Sequence, residues 1–78
     1  MNKTEERKLF QIIKEVLGVN VTEDLSMDTV PNWDSLRHIQ LLAKIEQEFD
    51  IEIDFQDTLA MTSVKSIRNI LSKYQSGK

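Results

Sequence analysis

No cysteine occurs anywhere in the 78 residues. A disulfide framework, a thiolate metal site and a cysteine nucleophile are therefore excluded. Two glycines and one proline leave little loop material, and no repeat or low-complexity stretch is present. The single histidine, His38, excludes a zinc site built on two histidines. No apolar run approaches the roughly 18 to 20 residues needed to cross a bilayer. The opening residues Met1–Glu6 lack the apolar stretch of a secretory signal, so the expectation is a cytoplasmic protein with no membrane contact.

What is present suits one small domain spanning 1–78. About 40% of the residues are apolar. A chain this short buries only about 60% of the surface it would expose unfolded. That leaves no room for both a core and a deep enclosed substrate cavity, which argues against an enzyme. The net charge of −3 and a pI near 5.0 argue against nucleic-acid binding, which needs a basic footprint. The charge is also uneven. Residues 1–22 sum to +1, residues 23–57 carry ten acidic and two basic side chains for −8, and residues 58–78 sum to +4. An acidic middle segment either keeps a solvated face soluble or steers basic partner surfaces toward it.

Helical spacing organises most of the chain. Leu9, Phe10, Ile12, Ile13, Val16 and Leu17 mark a first helix, with Asn2 or Thr4 as its cap and Gly18 as a left-handed stop. Val19–Asp34 fits neither period, yet Val21, Leu25, Met27, Val30 and Trp33 predict a loop packed down by its own side chains. The strongest helix follows, with Leu36, Ile39, Ala43 and Phe49 near one face and Leu41 and Leu42 broadening the stripe. Ile51 and Ile53 read as an apolar loop anchoring its end. A short turn over Phe55–Leu59 comes next. The last helix is capped by Thr62 or Ser63, turns Val64, Ile67, Ile70, Leu71 and Tyr74 inward, and frays from about residue 75. The expected fold is all-α, a small antiparallel bundle of three long helices and one short one.

Several apparent sites dissolve on inspection. Asp50, Glu52 and Asp54 alternate like the first ligands of a calcium loop, but Phe55 stands where glycine is required and Met61 where glutamate is. Ser35, His38 and a carboxylate offer the residue types of a hydrolytic triad, but no glycine-flanked nucleophile elbow accompanies them. His38 reads as a surface residue. At Asn32-Trp33-Asp34-Ser35-Leu36, a loop enters the strongest helix, and either Asp34 or Ser35 suits the N-cap. A full capping box is absent, because Arg37 and His38 stand where Glu or Gln is needed.

Trp33-Asp34-Ser35-Leu36, followed by Ile39, Leu41, Leu42, Ile45, Glu46, Glu48 and Phe49 and then Ile51 and Ile53, resembles the acyl carrier protein family. The resemblance extends to Val16-Leu17-Gly18, Val21 and Thr62-Ser63-Val64, and so covers nearly the whole chain. It implies that Ser35, flanked by Asp34 and Leu36, receives a 4′-phosphopantetheine arm from a phosphopantetheinyl transferase. It implies acyl cargo held as a thioester on the arm's thiol, the protein having none of its own. The implied partners are an acyl-loading ligase or acyltransferase and ketosynthase-type or transferase enzymes of fatty-acid, polyketide or related secondary biosynthesis. The alternatives are a discrete aminoacyl or peptidyl carrier and, from another class, an unmodified helical interaction module.

This chain departs from the housekeeping members of that family. Their second helix is strongly acidic, whereas here Arg37, His38, Gln40 and Lys44 accompany only Glu46 and Glu48. Trp33, Arg37, His38, Gln40, Leu41, Glu46 and Glu48 are the expected partner-docking residues, with Trp33 alternatively a loop residue packed against the bundle. A bundle interior lined by Ile39, Leu42, Phe49, Ile53, Val64 and Ile67 is expected to shelter an acyl chain if the helices part. The chain is expected to act as a monomer.

Overall fold

The computed structural model describes residues 2–76. Four helices follow one another, α1 (Lys3–Leu17), α2 (Ser35–Phe49), α3 (Phe55–Ala60) and α4 (Val64–Ser76), and no named strand occurs among the described residues. This is the all-α bundle of three long helices and one short one that the periodicity predicts.

Local chemistry sets the helix ends. Asn2 starts α1 with a capping box: its side chain accepts from Glu5 N at 2.8 Å, and Glu5 Oε1 accepts from Asn2 N at 3.0 Å. Gly18 ends α1 at φ 68°, where its N–H reaches Lys14 O at 2.7 Å. At the end of α2 the left-handed residue is Asp50, at φ 53°, a position an aspartate tolerates better than most side chains. Ser63 caps α4, accepting from Ser66 N at 3.1 Å while Ser66 Oγ accepts from Ser63 N at 3.0 Å. α4 continues through Ser76, and Gln75 Nε2 donates to Glu5 Oε2 at 2.7 Å. Gly77 and Lys78, in the tail expected to fray from about residue 75, lie outside the described residues.

One continuous core joins the long helices. α1 buries Leu9, Ile12, Ile13 and Leu17, and Val64, Ile67, Ile70 and Leu71 of α4 are buried with them. Each such side chain contributes about 1.5 to 3 kcal/mol relative to exposure. Among the described residues, no polar or charged residue is buried in this core. The long connection is packed down as predicted, with Val30 and Trp33 buried and Val19, Val21, Leu25 and Met27 half-buried. Two backbone hydrogen bonds pin it to the start of α4, Met27 N to Thr62 O at 2.9 Å and Val64 N to Leu25 O at 3.0 Å. Ile53 is likewise buried in the loop after α2, where its N–H donates to Glu46 Oε2 at 2.8 Å.

α2 differs from expectation in which face it buries. Leu41, Leu42 and Ile45 enter the core, with Phe49 half-buried. Leu36 and Ile39 are 63% and 65% exposed, and Ala43 is exposed as well. The helix carries two apolar stripes about half a turn apart, and α1 covers only one of them. Periodicity alone does not say which.

Candidate functional site

The N-terminus of α2 separates two serviceable side chains into different tasks. Asp34 has extended backbone at φ −99° and accepts from Arg37 N at 2.9 Å, so Asp34 is the N-cap. Ser35 is then the first helical residue, exposed, and no hydrogen bond engages its hydroxyl among the described residues. Its position beside the free N–H groups of a 15-residue helix favours an anion there by about 0.3 to 1 kcal/mol. A phosphodiester on the Ser35 oxygen fits that setting.

Beside Ser35 lies an apolar cleft of about 350 Å³. α2 contributes His38, Ile39 and Leu42 to it, α3 contributes Phe55, Thr58 and Leu59, and Met27 and Thr62 complete the wall. Phe55 is 74% exposed and Leu59 63%. Together with Leu36 and Ile39 they are the large apolar side chains left exposed among the described residues, and all four stand on α2 or α3. A larger depression, about 510 Å³, runs along α1 between Glu6, Arg7, Phe10, Lys14 and Val21, but it does not border Ser35.

His38 departs from expectation. It is half-buried, not a free surface residue, and both ring nitrogens are committed. Trp33 Nε1 donates to Nδ1 at 3.0 Å, and Nε2 meets Thr58 O at 2.9 Å. A ring held this way has no lone pair to offer Ser35, which removes the hydrolytic reading.

The expected docking residues divide. Gln40 and Glu48 are exposed on α2. Arg37 is exposed too, but its Nη1 donates to Val16 O at 2.8 Å, closing the end of α1. Glu46 is half-buried and holds the Ile53 amide. Leu41, at 0% exposure, and Trp33, at 2%, are core residues and cannot meet a partner. Leu41 belongs to the stripe covered by α1, and Trp33 packs as the loop residue it was alternatively read to be. The sequence reading missed Phe55 and Leu59, which sit one turn apart on α3, and the outward placing of Ile39. The i, i+3 spacing of Leu36 and Ile39 was the available signal. Of the expected interior, Ile39 and Leu42 line the cleft, Phe49 is half-buried, and Ile53, Val64 and Ile67 are tightly buried.

Comparison with known proteins follows the same line. The family described as "phosphopantetheine attachment site" matches residues 7–71. An acyl carrier protein of Buchnera aphidicola subsp. Baizongia pistaciae is 36% identical over 72 residues, covering 88% of this chain and 92% of that protein. Another, from Buchnera aphidicola subsp. Schizaphis graminum, is 37% identical over 73 residues, covering 87% and 91%. Among solved structures, a candidate acyl carrier protein from Mycobacterium tuberculosis superposes with a TM-score of 0.79 at 25% identity, covering 88% of this chain and 96% of that one.

Proposed function

The chain belongs to the acyl carrier protein family, carriers rather than enzymes, which bear a covalent 4′-phosphopantetheine group, and we propose that Ser35 is its attachment point. The observation that carries this is the division of labour at the start of α2. Asp34 takes the capping role, which leaves the Ser35 hydroxyl exposed and free at the positive end of the helix. Asp34 and Leu36 flank it, with the Asp34 carboxylate engaged by the Arg37 N–H, and α2 carries no further acidic residue in its first turn. The group's terminal thiol supplies the thioester chemistry that a chain without cysteine cannot.

The protein shuttles acyl intermediates among enzymes of fatty-acid, polyketide or related secondary biosynthesis, as a cytoplasmic monomer. Partners would dock on Leu36, Ile39, Phe55 and Leu59, with Gln40 and Glu48 alongside. The aliphatic and aromatic lining of the cleft favours an alkyl cargo over a polar aminoacyl one. Co-expression with a broad-specificity phosphopantetheinyl transferase, followed by intact-mass measurement, tests the reading. The expected result is one phosphopantetheine per chain on the wild type and none on Ser35→Ala. No gain on the wild type would leave a helical interaction module.

A further inference from the structure

α3 has little apolar anchorage of its own. None of its six residues is buried and no side chain caps its N-terminus. Ile53 and Met61, on either side of it, are buried and pin the segment at both ends. The helix between them supplies Phe55, Thr58 and Leu59 to the wall of the cleft beside Ser35.

Polar contacts hold it from two directions. Toward α4, Tyr74 Oη donates to Asp57 Oδ2 at 2.6 Å and accepts from Asp54 N at 2.8 Å. Toward α2, His38 Nε2 meets Thr58 O at 2.9 Å. That second contact exists in only one tautomer. A carbonyl can only accept, so Nε2 must carry the hydrogen. The indole N–H of Trp33 can only donate, so Nδ1 must be bare where Trp33 Nε1 reaches it at 3.0 Å. The two partners of His38 therefore demand the same protonation pattern. Trp33 is itself buried, and its ring lies 6.1 Å from the imidazole, centroid to centroid.

We infer that His38, oriented by Trp33, is a positioning residue that clips α3 to α2 and so sets the width of the cleft beside Ser35. The role of that width in accommodating cargo rests on the carrier reading. The clip is a property of the unmodified chain.

The test therefore uses the unmodified full chain, ¹⁵N-labelled, at mildly alkaline pH. Long-range ¹H–¹⁵N correlations of the His38 ring are expected to show a bare Nδ1 and a protonated Nε2. Amide exchange is then compared in His38→Leu, which removes both bonds, and His38→Gln, which offers one acceptor and one donor on a planar group. Exchange at Thr58 and Leu59 is expected to rise about five- to tenfold in His38→Leu and to return to within about twofold of wild type in His38→Gln. The amides of Ile12 and Ile13 are expected to stay protected in both variants. A ring protonated on Nδ1, wild-type exchange at α3 in His38→Leu, or no recovery in His38→Gln would overturn the clip. If His38→Leu loses protection at Ile13 as well, the wild-type tautomer and His38→Gln alone decide. Failure of the carrier reading registers separately, as an unchanged mass after transferase treatment, and moves none of these signals.

Discussion

α1 and α3 show how differently two helices of one bundle can be held. α1 buries Leu9, Ile12, Ile13 and Leu17, opens on a full capping box and closes on a left-handed glycine. α3 buries nothing, lacks a side-chain cap, and presents Phe55 and Leu59 to solvent. In α1 the apolar residues hold the fold together. In α3 they are left over from it, and they stand around the serine that the carrier reading singles out. On the carrier reading, stability and docking draw on different apolar residues of the same small chain, and α2 belongs to both groups through its two stripes.

That division sets the effects of substitution. Leu41→Ala, on the stripe of α2 facing the core, is expected to cost about 2 to 5 kcal/mol in urea unfolding. Ile39→Ala, two residues earlier on the exposed stripe, is expected to cost about 0.5 kcal/mol or less. Equal losses would erase the distinction between the two faces. At the helix start, Asp34→Ala should lose about 1 kcal/mol, because Asp34 supplies the cap. Ser35→Ala should change stability by less than about 0.5 kcal/mol, its hydroxyl being free of such work. A reversed order in the same unfolding measurement would assign the cap to Ser35.

The smallest effect concerns the polar hold on α3. The Tyr74 hydroxyl has its pKa raised above the ordinary phenol value of 10.0, chiefly because it donates to the Asp57 carboxylate and secondarily through desolvation. The folded state therefore favours the neutral phenol, and the unfolded chain releases this proton first as pH rises. The contribution is complete below the unfolded value and fades as pH climbs through the folded one. The stability difference between wild type and Tyr74→Phe should accordingly shrink above about pH 10. A difference that stays constant through that range would mean that the hydroxyl contributes nothing through Asp57.

Most of the architecture was legible in residue order because its signals are local. Asn2, Gly18 and Ser63 mark helix ends by chemistry that acts within a turn, and the residues of α1 fall on a single apolar stripe. α2 was less legible because Leu36, Ile39 and Ala43 make as good a stripe as Leu41, Leu42 and Ile45. Choosing between them requires knowing where α1 lies. His38 was misread for a related reason. Its partners are Trp33, across the loop-to-helix junction, and the carbonyl of Thr58, 20 residues on, and no spacing rule announces such a bridge. Arg37 likewise spends its guanidinium on Val16 O, 21 residues back. Ser35, the proposed attachment point, stands out in residue order as part of a short motif at a helix start. The hydrogen bond from Arg37 N to the Asp34 side chain is what separates the cap from the free hydroxyl.

The assignment of Ser35 is tested most directly by fragment-ion mapping of the protein after treatment with a phosphopantetheinyl transferase. The expected spectrum places the whole added mass on Ser35, in every modified chain. The same mass on another hydroxyl, or its undiminished appearance in Ser35→Ala, would contradict the assignment.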